Sequence, residues 1–185
     1  MEHALCFGLL PVAAQKKNPA KYLSSYVATY LEQEIFQEGL IRNLATFSRF
    51  LEIASFSQGS TLNMSAIARD ASIERKVVEN YFNILQDLLI GYKLPPFTKR
   101  AKRRLISQPK FYFFDTGIYR TIRPAGPLDS PEEIGGIALE TLFFQNLLAV
   151  IQTLELGYKL FYYRTATGIE VDFVAYGPKG MIAFE

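Results

Sequence analysis

Two carboxylates near the end of the sequence, Asp172 and Glu185, have the chemical type and the spacing for hard-cation chemistry. Asp172 lies in Glu170-Val171-Asp172-Phe173-Val174-Ala175-Tyr176, and Glu185 closes Met181-Ile182-Ala183-Phe184-Glu185. Gly177-Pro178-Lys179-Gly180 reads as a tight turn, so two apolar strands each deliver one acid. Acids on neighbouring strands of a buried sheet repel each other unless a divalent cation lies between them or both point to water. The first arrangement is a metal site for phosphodiester chemistry, and the second is an ordinary hairpin. Glu140 is a third acid, in a segment apolar on nearly every side (Ile137, Phe143, Phe144, Leu147). An isolated carboxylate buried there would be costly or would protonate. A metal would account for its place, and so would Gly135-Gly136 keeping that helix end open to solvent. Glu170 alternates with Val171 and Phe173 and reads as a solvated strand residue.

Composition narrows the chemistry. With 185 residues, 49% hydrophobic and 21% charged, the chain has apolar material for one large core or two small ones. A single histidine, His3, argues against a Ser-His-Asp triad and a His/Cys zinc site. No Gly-x-x-x-x-Gly-Lys-Ser/Thr run is present, so the sequence carries no P-loop. Oxygen-ligand metal chemistry is what remains. Cys6 alone makes no intrachain disulfide, which fits a reducing cytoplasm. The richest apolar stretch, Ile137 to Ile151, is broken by Glu140, Thr141, Gln145 and Asn146, so no membrane span is expected.

The elements that must position these acids follow from periodicity. Residues 1–20 read as a loop or the tail of an upstream module. Tyr22, Leu23, Tyr26, Val27, Tyr30, Leu31 and Ile35 have helical spacing, closed by Gly39. A second helix is expected over Ile41 to Ser55. Asn63 or Ser65 can cap a short helix, and Ser72 a longer one from Ile73 to about Ile90 with an apolar stripe at Val77, Tyr81, Leu85 and Leu88. Short helix, tight turn and longer amphipathic helix form the helix-turn-helix pattern, with Arg75 and Lys76 on the outward face. Leu94 and Leu105-Ile106 to Phe114 read as strands around a basic loop, which would make a wing. Phe111, Tyr112 and Phe113 alternate as in a half-buried strand, and Asp115 caps the helix that follows. The loop carries Lys99, Arg100, Lys102, Arg103 and Arg104, five cations in six positions of a chain whose net charge is +2. So local a charge suits a phosphate-contacting patch. The stretch 123–131 is the expected boundary, followed by a helix over about Ile134 to Leu154 and the acid-bearing strands.

Tyr22-Leu23-x-x-Tyr26-Val27-x-Thr29-Tyr30-Leu31-x-x-Glu34-Ile35 resembles the start of the C-terminal region of a large family of predicted prokaryotic AAA-type ATPases. So do Leu94-Pro95-Pro96-Phe97, Pro109-Lys110-Phe111-Tyr112-Phe113-x-Asp115-Thr116-Gly117, Leu139-Glu140-x-x-x-Phe144, and Glu170-Val171-Asp172-Phe173-Val174 with Ala183-Phe184-Glu185. The resemblance implies a winged helix, then a domain similar to PD-(D/E)XK nucleases, with ATP bound only by a module upstream. In that reading Asp172 and Glu185 would hold Mg²⁺ and Glu140 would support them. Family members usually continue with a lysine two positions after the last Glu. This sequence ends before that position, so residues 1–185 are expected to cleave nothing.

The expected fold is α+β: a helical segment and winged helix-turn-helix over 21–122, then an incomplete restriction-endonuclease-like α/β unit over 130–185. The expected role is DNA or partner recognition beside an ATPase module. The rivals are a metal-dependent nuclease and a catalytically dead protein-interaction module.

Overall fold

A computed structural model describes residues 1–98, 108–127, 129–165 and 167–185, with the side chains of 30–32 and 34 left aside. More than half of the first twenty residues are helical, where a loop was one expectation. Helix α1 spans Glu2–Phe7 and α2 spans Pro11–Ala14, with Pro11 at its first position, where a missing N–H costs nothing. Asn18 caps α3 (Pro19–Ser25) by accepting from the Lys21 N–H at 3.0 Å. The single helix expected from Lys21 to Gly39 is instead α3, a π-helical stretch (Tyr26–Glu34) and the short α4 (Ile35–Gln37). Gly39 does end it, at φ +73°.

The next part is a helical unit on a small sheet. Asn43 caps α5 (Leu44–Ser55), whose Phe47, Phe50, Leu51 and Ala54 face inward as expected. Strand β1 (Ser60–Thr61) precedes α6 (Met64–Ala71), which Asn63 caps by accepting from the Ala66 N–H. Ser72 does not cap the following helix. It sits at φ 57° as the left-handed end of α6, and α7 runs only Arg75–Asp87. Leu88 and Leu89 therefore fall beyond the helix and are exposed. Strands β2 (Gly91–Leu94) and β3 (Lys110–Phe113) are antiparallel, and the sheet order is β1-β3-β2. Phe50 packs against Phe47, Tyr81 and Phe82, and Phe82 against Phe111, forming an aromatic core.

Strand β3 is buried on both faces, not one. Phe111 and Phe113 enter the helical core, whereas Tyr112 joins a second core with Leu94, Phe144, Ile151, Leu160, Tyr162, Phe173 and Ala175. Period-2 alternation puts Lys110 on the same side as Tyr112. The second core is closed by α9 (Pro131–Thr153), capped by Ser130, and by a meander of β4 (Lys159–Arg164), β5 (Glu170–Gly177) and β6 (Gly180–Phe184). The Gly177–Gly180 pairing confirms the tight turn between the acid-bearing strands. The two sheets touch where the Tyr162 N–H donates to the Pro95 carbonyl and the Phe97 N–H to the Tyr162 carbonyl, at 3.1 and 2.7 Å. The fold is thus mixed helix and sheet.

By length and composition α9 could cross a membrane, with a mean hydropathy of 1.7 over its most apolar window, contrary to the expectation from sequence. Three of its polar side chains are instead bound to other elements. Thr141 accepts from Gln58 at 2.9 Å, Gln145 donates to Asp115, and Glu140 is ion-paired.

Asp115 caps α8 (Thr116–Ile122) as expected, accepting from the Gly117 and Ile118 N–H groups. It also accepts from the Leu9 N–H at 2.7 Å, which fastens the N-terminal segment to this corner. The chain reaches it through Gly8, at φ +72°, where a Cβ would lie 1.9 Å from the Asp115 carboxylate.

Candidate functional site

The two acids singled out by the sequence open onto one cleft. Phe173 pairs with Phe184 across β5 and β6, and the two acids are the chain neighbours of that pair. Asp172, Glu185 and Glu140 line one open cleft of about 660 Å³, together with Gly136, Leu139 and Phe143. Gly135 and Gly136 face open space, as expected for the solvent-exposed start of α9.

The centre of the site is a residue that the sequence does not single out. Lys110 is buried, its side chain 4% exposed, and its ammonium lies between three carboxylates. Nζ is 2.9 Å from Glu170 Oε1, 3.0 Å from Asp172 Oδ1 and 3.6 Å from Glu140 Oε1. Glu170 is therefore an ion-pair partner and not a solvated strand residue. It lies two positions from Asp172, so the pleat gives both acids the same face. A bulge between Phe161 and Tyr163 of β4 sets Asp172 and Phe173 together against Tyr162. Phe173 then enters the core against Phe144 while Asp172 reaches Lys110.

Electrostatics follow from burial and charge. Burial alone would push the Lys110 ammonium down, but Glu170, Glu140 and Asp172 outweigh it and hold it above the ordinary lysine range. Burial raises the Glu140 carboxyl; Tyr112 and Lys110 counteract only part of this. The Tyr112 hydroxyl donates to Glu140 Oε1 at 2.5 Å, and burial with the adjacent Glu140 charge keeps that phenol protonated. Arg164 adds a second cation, 3.4 Å from Glu170 Oε2. Tyr162 places its ring 5.8 Å from Lys110 Nζ, and its hydroxyl donates to the Gln108 carbonyl.

Tyr112→Phe tests one of these bonds. It removes a charge-assisted donor from a half-buried carboxylate, so the chain should lose about 2 kcal/mol in urea unfolding. A loss indistinguishable from zero would mean that water replaces the hydroxyl.

The metal expected at Asp172 and Glu185 does not fit the acids as they stand. Among the described residues no three Asp, Glu, His or Cys side chains are placed to hold a metal ion. Two of the acids on the cleft, Glu140 and Asp172, already face Lys110.

The residues expected to meet nucleic acid lie elsewhere. Arg75 and Lys76 are exposed in the first turn of α7, and Arg75 Nε donates to Glu79 Oε1 at 2.8 Å, which offsets its charge. Arg75 also lines a cleft with Asn63, Ser65 and Gln108. Lys99, Arg100, Lys102, Arg103 and Arg104 lie outside the described residues.

Two known families meet near the proline-rich stretch, although the second core takes Leu94 and Tyr112 from the first of them. The family described as a domain of unknown function, DUF8612, matches residues 1–129. The chain belongs to this family. A second domain of unknown function, DUF4143, matches residues 135–185, the part that carries the acids. Two curated relatives, uncharacterized proteins of Mycobacterium bovis and Mycobacterium tuberculosis, are each 24% identical over 170 residues. The alignment covers 89% of this chain but 37% of each relative. No solved structure matches.

Parity on β3 places Lys110 on the Tyr112 face, but what covers that face lies elsewhere in the chain. A second residue carries no such signal. Gln58 is buried at 2% exposure and bonds both Thr141 and the Phe113 N–H. No local pattern around Ser57-Gln58-Gly59 announces that role.

Proposed function

We propose that this chain is the DNA-recognition region of a larger AAA-type ATPase, with the ATP site in a part of the protein outside this sequence. The observation that carries the reading is the order helix α5, β1, α6, turn, α7, β2, β3 with strands arranged β1-β3-β2. That is the arrangement expected of a winged helix, with α7 as the groove-facing helix and the segment between β2 and β3 as the wing. The five cations from Lys99 to Arg104 fall in that segment by sequence. Phosphate contacts from such a cluster supply affinity with little sequence reading. The ATPase part of the reading rests on the family resemblance and on relatives whose chains extend well beyond the matched region.

A salt titration of duplex binding by fluorescence anisotropy tests this. Binding should weaken steeply as salt rises. Replacing the five cations with glutamine should reduce the log–log slope by roughly 0.9 for each phosphate that is no longer neutralised. Absence of binding at low salt, or an unchanged slope, would leave protein-partner recognition as the role of the helix-turn-helix.

The rival reading, metal-dependent phosphodiester cleavage, draws support from Asp172 and Glu185 on their shared cleft. The acids do not fit a metal in this arrangement, since Glu140 and Asp172 are taken up by Lys110.

A further inference from the structure

Lys110 lies where a cation bridging the acid cluster would be needed, and neither functional reading gives it a role. Its surroundings come from three elements. Glu170 and Asp172 reach it from β5, Glu140 from α9, and Tyr112 of its own strand donates to the same Glu140 oxygen. Tyr162 and Arg164 complete the environment from β4.

The spacing identifies the kind of cation. Nζ–oxygen distances of 2.9 and 3.0 Å to Glu170 and Asp172 are those of an ammonium hydrogen-bonded to carboxylates. Mg²⁺ demands oxygens at roughly 2.0–2.1 Å in near-octahedral order, which acids spread around an ammonium do not supply. An ammonium offers three protons, and three carboxylates face it. Lys110 also cannot diffuse away, since β3 is the central strand of its sheet and is buried on both faces.

We propose that Lys110 is the resident cation of this cluster: its ammonium ties β3, β5 and α9 together at the place a divalent ion would take, and leaves Glu140, Glu170 and Asp172 unable to bind Mg²⁺ or Mn²⁺. The DUF4143-like part of this chain is then held by a lysine supplied from the DUF8612 part, and its integrity is independent of divalent ions.

Two measurements on the whole chain test this. Thermal unfolding of the wild type should give the same midpoint in EDTA, Mg²⁺ and Mn²⁺. A midpoint raised by either ion and returned to baseline by Asp172→Asn would overturn the proposal. The second measurement uses Lys110→Ala, which leaves a vacancy shaped for a short alkylammonium. Propylammonium should raise the midpoint of Lys110→Ala, or restore its helical circular dichroism if the variant is unfolded, and should leave the wild type unmoved. Failure of propylammonium to act on Lys110→Ala, or an equal effect on both proteins, would overturn the assignment of a cation seat. The wild-type ion series decides the metal question whatever the variant's folding.

Discussion

Lys110→Met should destabilise the chain by about 3 kcal/mol at neutral pH, measured by urea unfolding. Methionine preserves most of the side-chain volume, so the loss isolates the charge. Removing the ammonium leaves Glu170 and Asp172 facing each other on one strand face, with Glu140 close by. Those acids are 25 to 37% exposed, so water relieves part of their repulsion; this places the expected cost at the low end for breaking a buried ion pair. The pH dependence has a definite sign. Lys110 titrates above its unfolded value, so its contribution is complete below the unfolded lysine pKa of about 10.4 and is lost as pH rises through the higher folded value. The gap between wild type and variant should therefore be constant through the neutral range and close in strong alkali. Glu140 works in the opposite sense from an ordinary salt-bridged acid. Burial raises its folded pKa, so its contribution is favourable only in acid and is lost as pH rises through that folded value. A wild type and variant of equal stability at pH 7 would remove Lys110 from the account of this fold.

Asp115→Ala should cost about 3 kcal/mol or more, read from the midpoint of denaturant unfolding. Asp115 is fully buried and accepts from four donors: the N–H groups of Leu9, Gly117 and Ile118, and the Gln145 amide. Alanine strands all four without water to replace the carboxylate. Asn, which keeps one acceptor oxygen, should recover part of the loss. An Ala variant as stable as wild type would show that the N-terminal segment is not held through this corner.

Much of this arrangement was legible because some rules are local. That Asp172 and Glu185 reach one cleft follows from two adjacent strands joined by a tight turn between glycines. The caps at Asn63 and Asp115 follow from side chains that accept from N–H groups two or three residues on. Other features depend on what lies across the fold. Ser72 suggests a helix start, because serine favours that position, yet the chain uses it in the left-handed conformation to end α6. Lys110 and Glu170 look like ordinary polar strand residues when each strand is taken alone. Their pairing depends on β3 being covered from both sides, and no stretch of β3 or β5 alone carries that information. The π-helical stretch from Tyr26 to Glu34 has the apolar spacing of an α-helix, so its wider turns are invisible in the pattern.

The double-sided burial of β3 also governs how the molecule can be divided. The proline-rich stretch after Arg123 invites dissection of the polypeptide into two pieces, and the two family matches meet near it. The C-terminal piece would depart without Tyr112 and Lys110, the aromatic ring and the positive charge that complete its interior. The two regions are separable as text but interlocked as matter, and stress on one face of that shared strand is felt at once on the other.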